Sequence, residues 1–517
     1  MGGVSSAHMP KNDAAVVVGS GPNGLSAAIT LAEAGREVVV LEALDRPGGA
    51  VATEELTLPG FHHDVFSAVY PAAAASPVFA RWPLERHGLK WIHPEVCVAH
   101  VLGGDRAAAL HRSLDATVDS LDELHPGDGE RWRAFATPYL KHFSSVRRTL
   151  LSGFPPVRGP LGLLRGLGPA GALEFARIVL APAMSLADEL FESPGAKAWL
   201  YSSAMHGDVP PTGAGSAIAG AYLQLLGHAY GWPSPEGGAG RIADAMIGYL
   251  GELGGTVRTS APVARVIVEN GRTTGVEIAG GERVPASIVV ADTTPAGLLR
   301  IAGHALEGRY KHGLRRYRYG AATIKVDWAL SGPVPWTAPV AHRAGTVHVG
   351  GEDRDILRAT AITGDPVLAE KPFMLTGQQT VHDPSRAPAG RHTFWAYTHG
   401  PHDVDYAAET ERHVERMEAR IEEFAPGFRD RILGRHVFSP ADMQGRNDNL
   451  VRGDVGAGSY TLDQVVFRPV PSLAPYRTPV RGLYLGSAST FPGGAVHGIP
   501  GHAAARLAVN EARLPGR

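Results

Sequence analysis

Short apolar runs and longer amphipathic stretches alternate at both ends of this 517-residue chain. The runs 14–18, 38–41 and 288–291 contain no charged position, which is typical of strands that a parallel sheet buries on both faces. An alanine-rich helix is predicted at 25–34, between the first two runs, and a second helix at 241–253. The pattern therefore predicts an α/β domain assembled from segments that lie far apart in the chain.

The middle of the chain has a different pattern. Polar and apolar residues alternate in 323–328, and mixed strands and turns follow in 330–400, which predicts an antiparallel sheet in a second domain. We expect 100–150 to be helical and charged, and 409–424 to be an amphipathic helix whose charged residues face solvent. The segment 150–190 is apolar and broken by proline and glycine. It is typical of a lid over an apolar pocket, a membrane-docking surface or an ordinary buried helical layer.

Three glycines follow the first apolar run in the spacing G-x-G-x-x-G. Gly19 permits a tight turn, Gly21 lets the backbone approach a pyrophosphate, and Gly24 lets the next helix pack on the strand. Glu42 directly follows the second run, where a carboxylate accepts hydrogen bonds from the hydroxyls of an adenosine ribose. Because that carboxylate would repel a 2′-phosphate, the motif predicts a dinucleotide other than NADP.

A second glycine pair, Gly48 and Gly49, follows the carboxylate closely and extends the phosphate-binding loop. A strand predicted at 481–485 and a glycine-rich segment at 486–501, which we call the closing segment, lead into the last helix. Backbone amides exposed before a helix suit a phosphate or an electron-rich ring oxygen. These features are typical of FAD-binding chains, so we predict FAD as the cofactor. The alternative for each glycine segment is a turn that binds nothing.

Composition narrows the function classes. The net charge is −2, so no basic surface for nucleic acid is expected. Cys97 is the single cysteine, which excludes an internal disulfide and a cysteine-rich metal site. The adjacent His62 and His63 lack metal-ligand spacing, so no metal is expected. The chain shows neither a secretory signal nor a run of the ~18 apolar residues that a membrane span needs. We therefore expect a cytoplasmic protein, with 150–190 as its candidate peripheral membrane contact.

Three parts of the chain, 16–49, 235–255 and 482–505, together resemble the flavoprotein family of phytoene desaturases and carotenoid isomerases within the amine oxidase superfamily. The sequence from Gly445-Arg446-Asn447 to Arg452-Gly453-Asp454 is most similar to the uncharacterised branch of desaturases with a pyridine-nucleotide-disulphide-oxidoreductase domain. The resemblance implies that FAD is held by Gly19, Gly21, Gly24, Glu42, Gly48, Gly49, Val263 on the adenine side, and Gly486. It further implies that Gly494, Ala495 and Val496 line the flavin pyrimidine, where amide donors stabilise charge on the reduced ring.

Three residues are candidates for catalysis. His497 is the titratable group that the closing segment brings to the ring, either as a general acid and base or as a hydrogen-bonding residue behind it. Lys325 aligns with the lysine that amine oxidases place near flavin N5, and the alternative is a strand lysine that faces solvent. Tyr230, together with Trp232 and Trp395, would form an aromatic cage for an amine substrate, or else belong to the core.

The closing segment departs from the family where it faces the ring. Phe491 replaces a histidine, Ala495 replaces a glycine, and His497 stands where small residues are common. These changes leave the substrate and the reaction open.

The first hypothesis is an FAD-dependent dehydrogenase or desaturase. It would move hydride from a C–H bond of a hydrophobic, polyene- or acyl-like substrate to flavin N5, with oxygen or a quinone as electron acceptor. The alternatives are an FAD-dependent amine oxidase that releases hydrogen peroxide, a redox-neutral polyene isomerase, and an FAD-stabilised binding protein without turnover. The oligomeric state is left open.

The expected fold class is α/β, with a Rossmann-like FAD-binding domain that is discontinuous in sequence and an α+β substrate domain with a mixed or antiparallel sheet. We expect a disordered leader at 1–12, the FAD-binding domain at 13–100, 236–315 and 441–517, and the substrate or lid domain at 101–235 and 316–440.

Overall fold

The computed structural model describes residues 14–361 and 366–513, and the leader expected at 1–12 lies outside these ranges. The strands, in chain order, are β1 (Ala15–Val18), β2 (Val38–Leu41), β3 (Thr53–Glu54), β4 (His63–Asp64), β5 (Trp91–Ile92), β6 (Val96–Gly103), β7 (Arg106–Leu110), β8 (Ser234–Pro235), β9 (Thr256–Arg258), β10 (Val263–Glu269), β11 (Arg272–Ile278), β12 (Arg283–Pro285), β13 (Ile288–Ala291), β14 (Ala322–Leu330), β15 (Ala344–Val349), β16 (Met374–Gly377), β17 (His392–Gly400), β18 (Ile432–Phe438) and β19 (Leu483–Leu485).

The α-helices, in chain order, are α1 (Pro22–Glu33), α2 (Pro71–Ala74), α3 (Leu114–Asp122), α4 (Asp128–Lys141), α5 (Phe143–Leu150), α6 (Arg158–Leu180), α7 (Ala183–Leu190), α8 (Pro194–Ala204), α9 (Ser216–Tyr230), α10 (Gly240–Glu252), α11 (Pro295–Ala302), α12 (Gly308–Arg315), α13 (Asp353–Ala359), α14 (Tyr406–Phe424), α15 (Pro440–Arg446), α16 (Leu462–Val465) and α17 (Ile499–Ala512). Gly168 departs from helical geometry, so α6 consists of two helical segments joined at a kink.

Five strands form a parallel sheet in the order β19–β13–β1–β2–β9. In this sheet Ala15 of β1 lies beside Val38 of β2 and Ile288 of β13. All four residues of β1 are buried, because α1, α10 and α17 pack on one face of the sheet and the small sheet β10–β11–β12 and α11 pack on the other. The predicted discontinuous α/β fold is confirmed, since its strands come from three distant parts of the chain.

A second sheet has seven strands in the order β18–β14–β17–β16–β15–β6–β7. β15 and β6 are parallel, and the other neighbours are antiparallel. The expectation of helix from residue 100 onward is wrong at its start, because β6 and β7 form a hairpin that ends at Leu110. The alanines of β7 are weak strand formers, and pairing with β6 outweighs that local preference. β6 also crosses the domain boundary expected at residue 100.

The two faces of the seven-stranded sheet differ in chemistry. Ile324 and Val326 of β14 join an apolar core beneath α14. Because side chains alternate along a strand, Lys325 and Asp327 lie on the opposite face, which we call the inner face. Tyr397 of β17 pairs with Lys325 and shares that face. The inner face therefore carries the Lys325–Asp327 pair and Tyr397, whereas Trp328 and Phe394 lie in the core on the other face.

Helices α4–α9 build a separate apolar core that includes residues of β6 and β16 on the inner face. Helix α14 covers the other face, close to the bounds predicted for it. Two of its charged residues do not face solvent as expected: Glu418 accepts a hydrogen bond from Trp328 Nε1 at 3.0 Å, and Arg420 donates to the Gly350 carbonyl at 3.0 Å. Each buried charge is therefore satisfied by a hydrogen bond.

Candidate active site

The glycine loop after β1 lies at the carboxyl edge of the parallel sheet. Helix α1 approaches so closely that a methyl group on Gly24 would overlap the carbonyl oxygen of Gly19. A methyl group on Gly21 would lie 2.9 Å from Asp292 Oδ2, and one on Gly49 would lie 2.9 Å from the Cα of Gly21. The packing therefore requires residues without side chains along this loop.

Glu42 directly follows β2 and is 8% exposed. Its Oε2 accepts hydrogen bonds from the Ser20 amide at 2.9 Å and the Ser20 hydroxyl at 2.6 Å, and its Oε1 accepts one from the Leu44 amide at 3.0 Å. Ser20 Oγ in turn accepts from the Gly48 amide at 3.2 Å. The carboxylate, the glycine loop and the second glycine pair thus form one hydrogen-bonded unit, in which Glu42 keeps lone pairs for a ribose hydroxyl.

A second carboxyl group, which sequence reasoning missed, lies across the loop. Asp292 directly follows β13, and its Oδ2 accepts a hydrogen bond from the Gly24 amide at 2.8 Å, in the first turn of α1. Burial raises the pKa of Asp292 to about 7, the Gly24 amide acts in the opposite direction, and the charge of Glu42 adds to the rise. Its position after a buried run was the available signal, because the carboxyl ends of parallel strands meet at one edge of the sheet.

The closing segment packs against the glycine loop. A methyl group on Gly501 would overlap the carbonyl oxygen of Asn23, so α17 and α1 come together at their N-termini. Gly486 follows β19, and a methyl group there would lie 3.0 Å from the Ala504 Cβ of α17. Gly486 therefore lets α17 lie close to the sheet.

Gly494, Ala495 and Val496 form the turn before α17. A methyl group on Gly494 would overlap the Tyr460 hydroxyl. Ala495 has a φ of 74°, in the left-handed region that favours glycine, so the chain adopts here the conformation that a glycine would otherwise provide. Val496 packs against the core formed by α1 and α17.

His497 is buried, with 1% of its surface exposed. Its Nδ1 accepts a hydrogen bond from the Ile499 amide at 3.2 Å, and within the described residues its Nε2 has no partner. Because Nδ1 is an acceptor, the neutral ring carries its proton on Nε2. Burial lowers the pKa of His497 to about 4, while the backbone of Gly494 acts in the opposite direction. The ring is therefore uncharged at neutral pH, and a catalytic role for His497 stays a prediction.

Arg468, which sequence reasoning also missed, is hydrogen-bonded to the loops around this turn. Its buried guanidinium donates to three backbone carbonyls, those of Gly458, Ser459 and Ala488. Its Cζ lies 5.0 Å from the centre of the Tyr460 ring. Arg468 therefore holds Tyr460 against the turn.

Lys325 is 2% exposed, which excludes the solvent-facing alternative. Its ammonium group pairs with Asp327 and donates to the Asp64 carbonyl at 3.0 Å. Burial raises the pKa of Asp327, but the Lys325 and His63 side chains outweigh that effect, so the pKa is lowered. Asp64 also pairs with Arg386 at 2.9 Å. The lysine thus belongs to a buried ionic cluster that connects the seven-stranded sheet to the β3–β4 hairpin.

The three residues predicted as an aromatic cage have separate neighbours. Tyr230 ends α9, and its hydroxyl accepts a hydrogen bond from Arg147 at 2.6 Å. The rings of Trp232 and His206 meet with centres 5.1 Å apart, whereas Trp395 stacks on the next aromatic residue of β17. Across the described ranges, no ring contact joins the three, and an aromatic cage formed by them stays a prediction.

Val263 begins β10 and pairs with Ile278 of β11. Two residues earlier, the Ala261 amide donates to the Glu42 carbonyl at 2.8 Å. Strand β10 therefore starts beside the Glu42 segment, and contact of Val263 with adenine stays a prediction.

A cavity of about 550 Å³ opens at the end of β17, a volume within the range of small-molecule sites. Its lining is mainly apolar and includes Met205, Phe373, Leu375, Tyr397, His399 and Asp208. Asp208 Oδ1 accepts a hydrogen bond from the Tyr460 amide at 2.7 Å, and Tyr460 abuts Gly494. Tyr460 thus connects Asp208, a residue of the cavity wall, to the closing segment.

These residues fit FAD. Glu42 offers a carboxylate for a ribose, and the glycine loop offers a surface without side chains for a pyrophosphate. In the part of the chain that the structure describes, no helix is long and apolar enough to cross a bilayer. No group of three or more potential ligands among the described residues is arranged to hold a metal ion.

Comparison with known proteins supports the same assignment. The pattern of the family described as "Flavin containing amine oxidoreductase" matches residues 23–499. Pyridine nucleotide-disulfide oxidoreductase domain-containing protein 2 of Rattus norvegicus is 28% identical over 96% of this chain and 93% of its own length. Phytoene desaturase (lycopene-forming) of a Paracoccus species is 25% identical over 97% of this chain and 98% of its own. The predicted resemblance and the FAD cofactor are confirmed.

The fold is also known from solved structures. An oxidoreductase from Methanosarcina mazei superposes with a TM-score of 0.63 at 16% identity, covering 96% of this chain and 99% of its own. The glycine loop, the ribose carboxylate and a family match over most of the length lead to one conclusion. This chain belongs to the flavin-containing amine oxidoreductase family and is an FAD-dependent oxidoreductase.

Proposed function

We propose that this oxidoreductase acts as a dehydrogenase or desaturase, removing hydride from a C–H bond of an apolar small molecule bound in the cavity at the end of β17. The observation that carries the proposal is the cavity, which has a mainly apolar lining. Its wall residue Asp208 is hydrogen-bonded to Tyr460, which contacts Gly494. FAD supplies the hydride acceptor, flavin N5, when it is bound. The chain's own residues orient the substrate and exclude water. Oxygen or a quinone is the proposed final electron acceptor.

Amine oxidation is the weaker candidate. The ammonium group of Lys325 is buried in an ion pair with Asp327 and also donates to the Asp64 carbonyl, so two of its three N–H donors are engaged within the protein. Tyr230, Trp232 and Trp395 also have separate neighbours. Both observations count against an amine site of the kind that the sequence predicted.

Anaerobic titration of the FAD-loaded protein tests the proposal. A panel of polyenes, acyl compounds and amines is added, and loss of flavin absorbance is recorded. We expect an apolar C–H donor to bleach the flavin and the amines to leave it oxidised. Bleaching by amines alone would overturn the proposal. Conversion of a polyene to its isomer without net bleaching would point to isomerisation instead.

We also propose that α6 docks on an anionic membrane surface. Val157 just before the helix and Leu161 and Leu164 within it are 55%, 46% and 44% exposed and lie along one face, beside the exposed Arg158 and Arg165. The stretch 141–173 contains five lysines and arginines and no acidic residue, so its charge is complementary to anionic lipid.

The segment just before α6 contacts the closing segment directly through Phe154. The Phe154 amide donates to the Tyr476 hydroxyl at 3.0 Å, and Tyr476 donates to the Phe491 carbonyl at 3.0 Å. The rings of Phe154 and Phe491 also meet edge to face, with centres 5.3 Å apart. A membrane-bound α6 would therefore hold the active site next to a reservoir of apolar substrate.

A further inference from the structure

We propose that a groove between α1 and α17 binds a phosphate group, either of soluble phosphate or of an anionic lipid. The groove has a volume of about 250 Å³, which is below the ~300–1,000 Å³ of most small-molecule sites and suits a single phosphate group. Its polar lining includes Thr30, Arg81, His502, Arg506, Asn510 and Arg513. None of these residues belongs to the set assigned to FAD, and the inference is independent of the reaction proposed above.

The groove has an excess of positive charge. Arg81, Arg506 and Arg513 are exposed, and none of them forms an ion pair within the described residues. Glu33 is the one acidic residue of the lining, and it accepts a hydrogen bond from the Tyr249 hydroxyl at 3.1 Å. Three guanidinium groups thus face one carboxylate, and an anion would supply the charge that the protein does not.

His502 orients one of these guanidinium groups. The Thr30 hydroxyl donates to the Ser26 carbonyl at 2.7 Å, so the ring is the donor in the 2.8 Å contact between His502 Nδ1 and Thr30 Oγ1. The neutral ring then accepts at Nε2, which lies 3.4 Å from Arg81 Nη1. Burial and the charges of Arg81 and Arg506 lower the pKa of His502 to about 4. The uncharged imidazole therefore holds Arg81 at the groove and lies near Arg506 as well.

The kind of cation favours phosphate over other anions. A guanidinium group presents its N–H donors in a planar fork that matches the oxygens of a phosphate. Arg506 and Arg513 are seven positions apart in the sequence of α17 and its C-terminal cap, so they lie on one face of the helix. Arg81 comes from a separate turn of the chain. A phosphate, with several acceptor oxygens, can bind donors from both directions, whereas a halide ion offers a single acceptor atom.

The groove is close to the helix proposed to dock on membrane. A methyl group on Gly153, in the segment before α6, would lie 3.5 Å from the Ala503 Cβ. Ala503 follows His502 in α17. The phosphate of an anionic lipid could therefore reach the groove from the same bilayer, and soluble phosphate is the other source.

Isothermal titration calorimetry tests the inference, with sodium phosphate added to the FAD-loaded protein at constant ionic strength. We expect saturable binding of one phosphate per chain. Arg81→Gln and Arg506→Gln should each weaken it about tenfold or more, because each removes a hydrogen bond between charged groups. Arg309→Gln, at an exposed arginine of α12 without a described ion pair, is the matched control and should bind as wild type does. The flavin content of each variant checks that it is folded.

A second titration distinguishes the two sources of phosphate. The probes are dihexanoyl phosphatidate and dihexanoyl phosphatidylcholine, both kept below their micelle concentrations. Tighter binding of the phosphatidate than of inorganic phosphate would assign the groove to lipid, and equal affinity would assign it to soluble phosphate. The phosphatidylcholine should not bind, because its headgroup has no net charge.

Absence of saturable phosphate binding would overturn the inference. So would unchanged affinity in both groove variants, or an equal loss in Arg309→Gln, since the effect would then come from the overall charge of the protein. The membrane proposal fails separately: a Leu161→Asp/Leu164→Asp variant should keep its affinity for soluble phosphate whether or not it binds vesicles.

Discussion

Glu42 accepts three hydrogen bonds from its own loop, so its carboxylate both shapes the loop and faces the expected ribose. We predict that Glu42→Gln weakens FAD binding about tenfold to a hundredfold, since a hydrogen bond to a charged group contributes about 1.5–3 kcal/mol. FAD retained after ultrafiltration, read from the ratio of flavin to protein absorbance, measures the effect. Glu37→Gln, at an exposed position before β2, is the control. Equal retention in the two variants would move the ribose contact to another residue.

Because the pKa of Asp292 is raised, we predict that FAD binding depends on pH. Its pKa is about 7 in the folded protein and near 4 in an unfolded chain. The fold therefore favours the neutral form, and the stability that Asp292 contributes is complete below about pH 4 and is lost as pH rises toward 7. Above pH 7 the ionised carboxylate, already beside Glu42, would repel the pyrophosphate of FAD.

We therefore expect the dissociation constant of FAD to rise roughly tenfold or less between about pH 6 and pH 9, since one ionisation next to the phosphates accounts for the change. Asp292→Asn should flatten the profile, because the amide stays neutral throughout. Quenching of FAD fluorescence on binding gives the constant at each pH. An identical slope in the Asn variant would assign the pH dependence to another group.

At the level of elements, α6 has one side packed against α5 and another side exposed to solvent. Methyl groups on Gly162 and Gly166 would overlap Ser145 and His142, so α5 packs closely against this side of α6. The other side presents Val157, Leu161 and Leu164 to solvent. One face of α6 carries glycines and packs within the protein. The other face carries exposed apolar side chains, which are available to a partner.

We predict that the protein co-sediments with vesicles containing phosphatidylglycerol and not with neutral phosphatidylcholine vesicles. Added salt should weaken the binding, because the attraction of Arg158 and Arg165 to anionic lipid is screened. A Leu161→Asp/Leu164→Asp variant should stay in solution, while Leu433→Asp, at another exposed leucine, should bind as wild type does. Equal binding to both vesicle types, or by the double variant, would remove α6 as the docking surface.

For the whole molecule, the buried ionic cluster is the connection between the two sheets that the sequence did not reveal. Lys325 reaches from β14 to the Asp64 carbonyl, and the Asp64 carboxylate accepts a hydrogen bond from the Ala239 amide at 2.8 Å, just before α10, which packs on the parallel sheet. A charge removed at Lys325 therefore affects both sheets.

We predict that Lys325→Met lowers the free energy of unfolding by about 3–5 kcal/mol, because Asp327 is left buried without its cation. The double variant Lys325→Met/Asp327→Leu should recover most of that loss, since no unpaired charge remains. Urea unfolding followed by circular dichroism measures both. If the stable double variant also keeps flavin reduction by the substrate, Lys325 is structural. If it loses flavin reduction alone, the lysine is catalytic.

Part of this molecule could be read from the sequence because the signals are local. The apolar run of β1, the glycines after it and Glu42 at the end of β2 lie within one short unit, whose spacing determines a strand, a turn and a helix. The same holds for α14, whose periodicity is independent of its neighbours. These features were sufficient to predict FAD and the α/β fold.

Other features depend on residues that meet only in the folded chain. Asp292 reaches Gly24 from 268 positions away, and β7 is a strand because β6 pairs with it. Lys325 becomes a buried ion-pair partner only because β4 packs on the inner face. The sequence by itself determined the cofactor and the class of fold. The tertiary structure decided which charges are buried, which distant residues pair and where an apolar cavity forms, because burial and long-range pairing are properties of the whole packing.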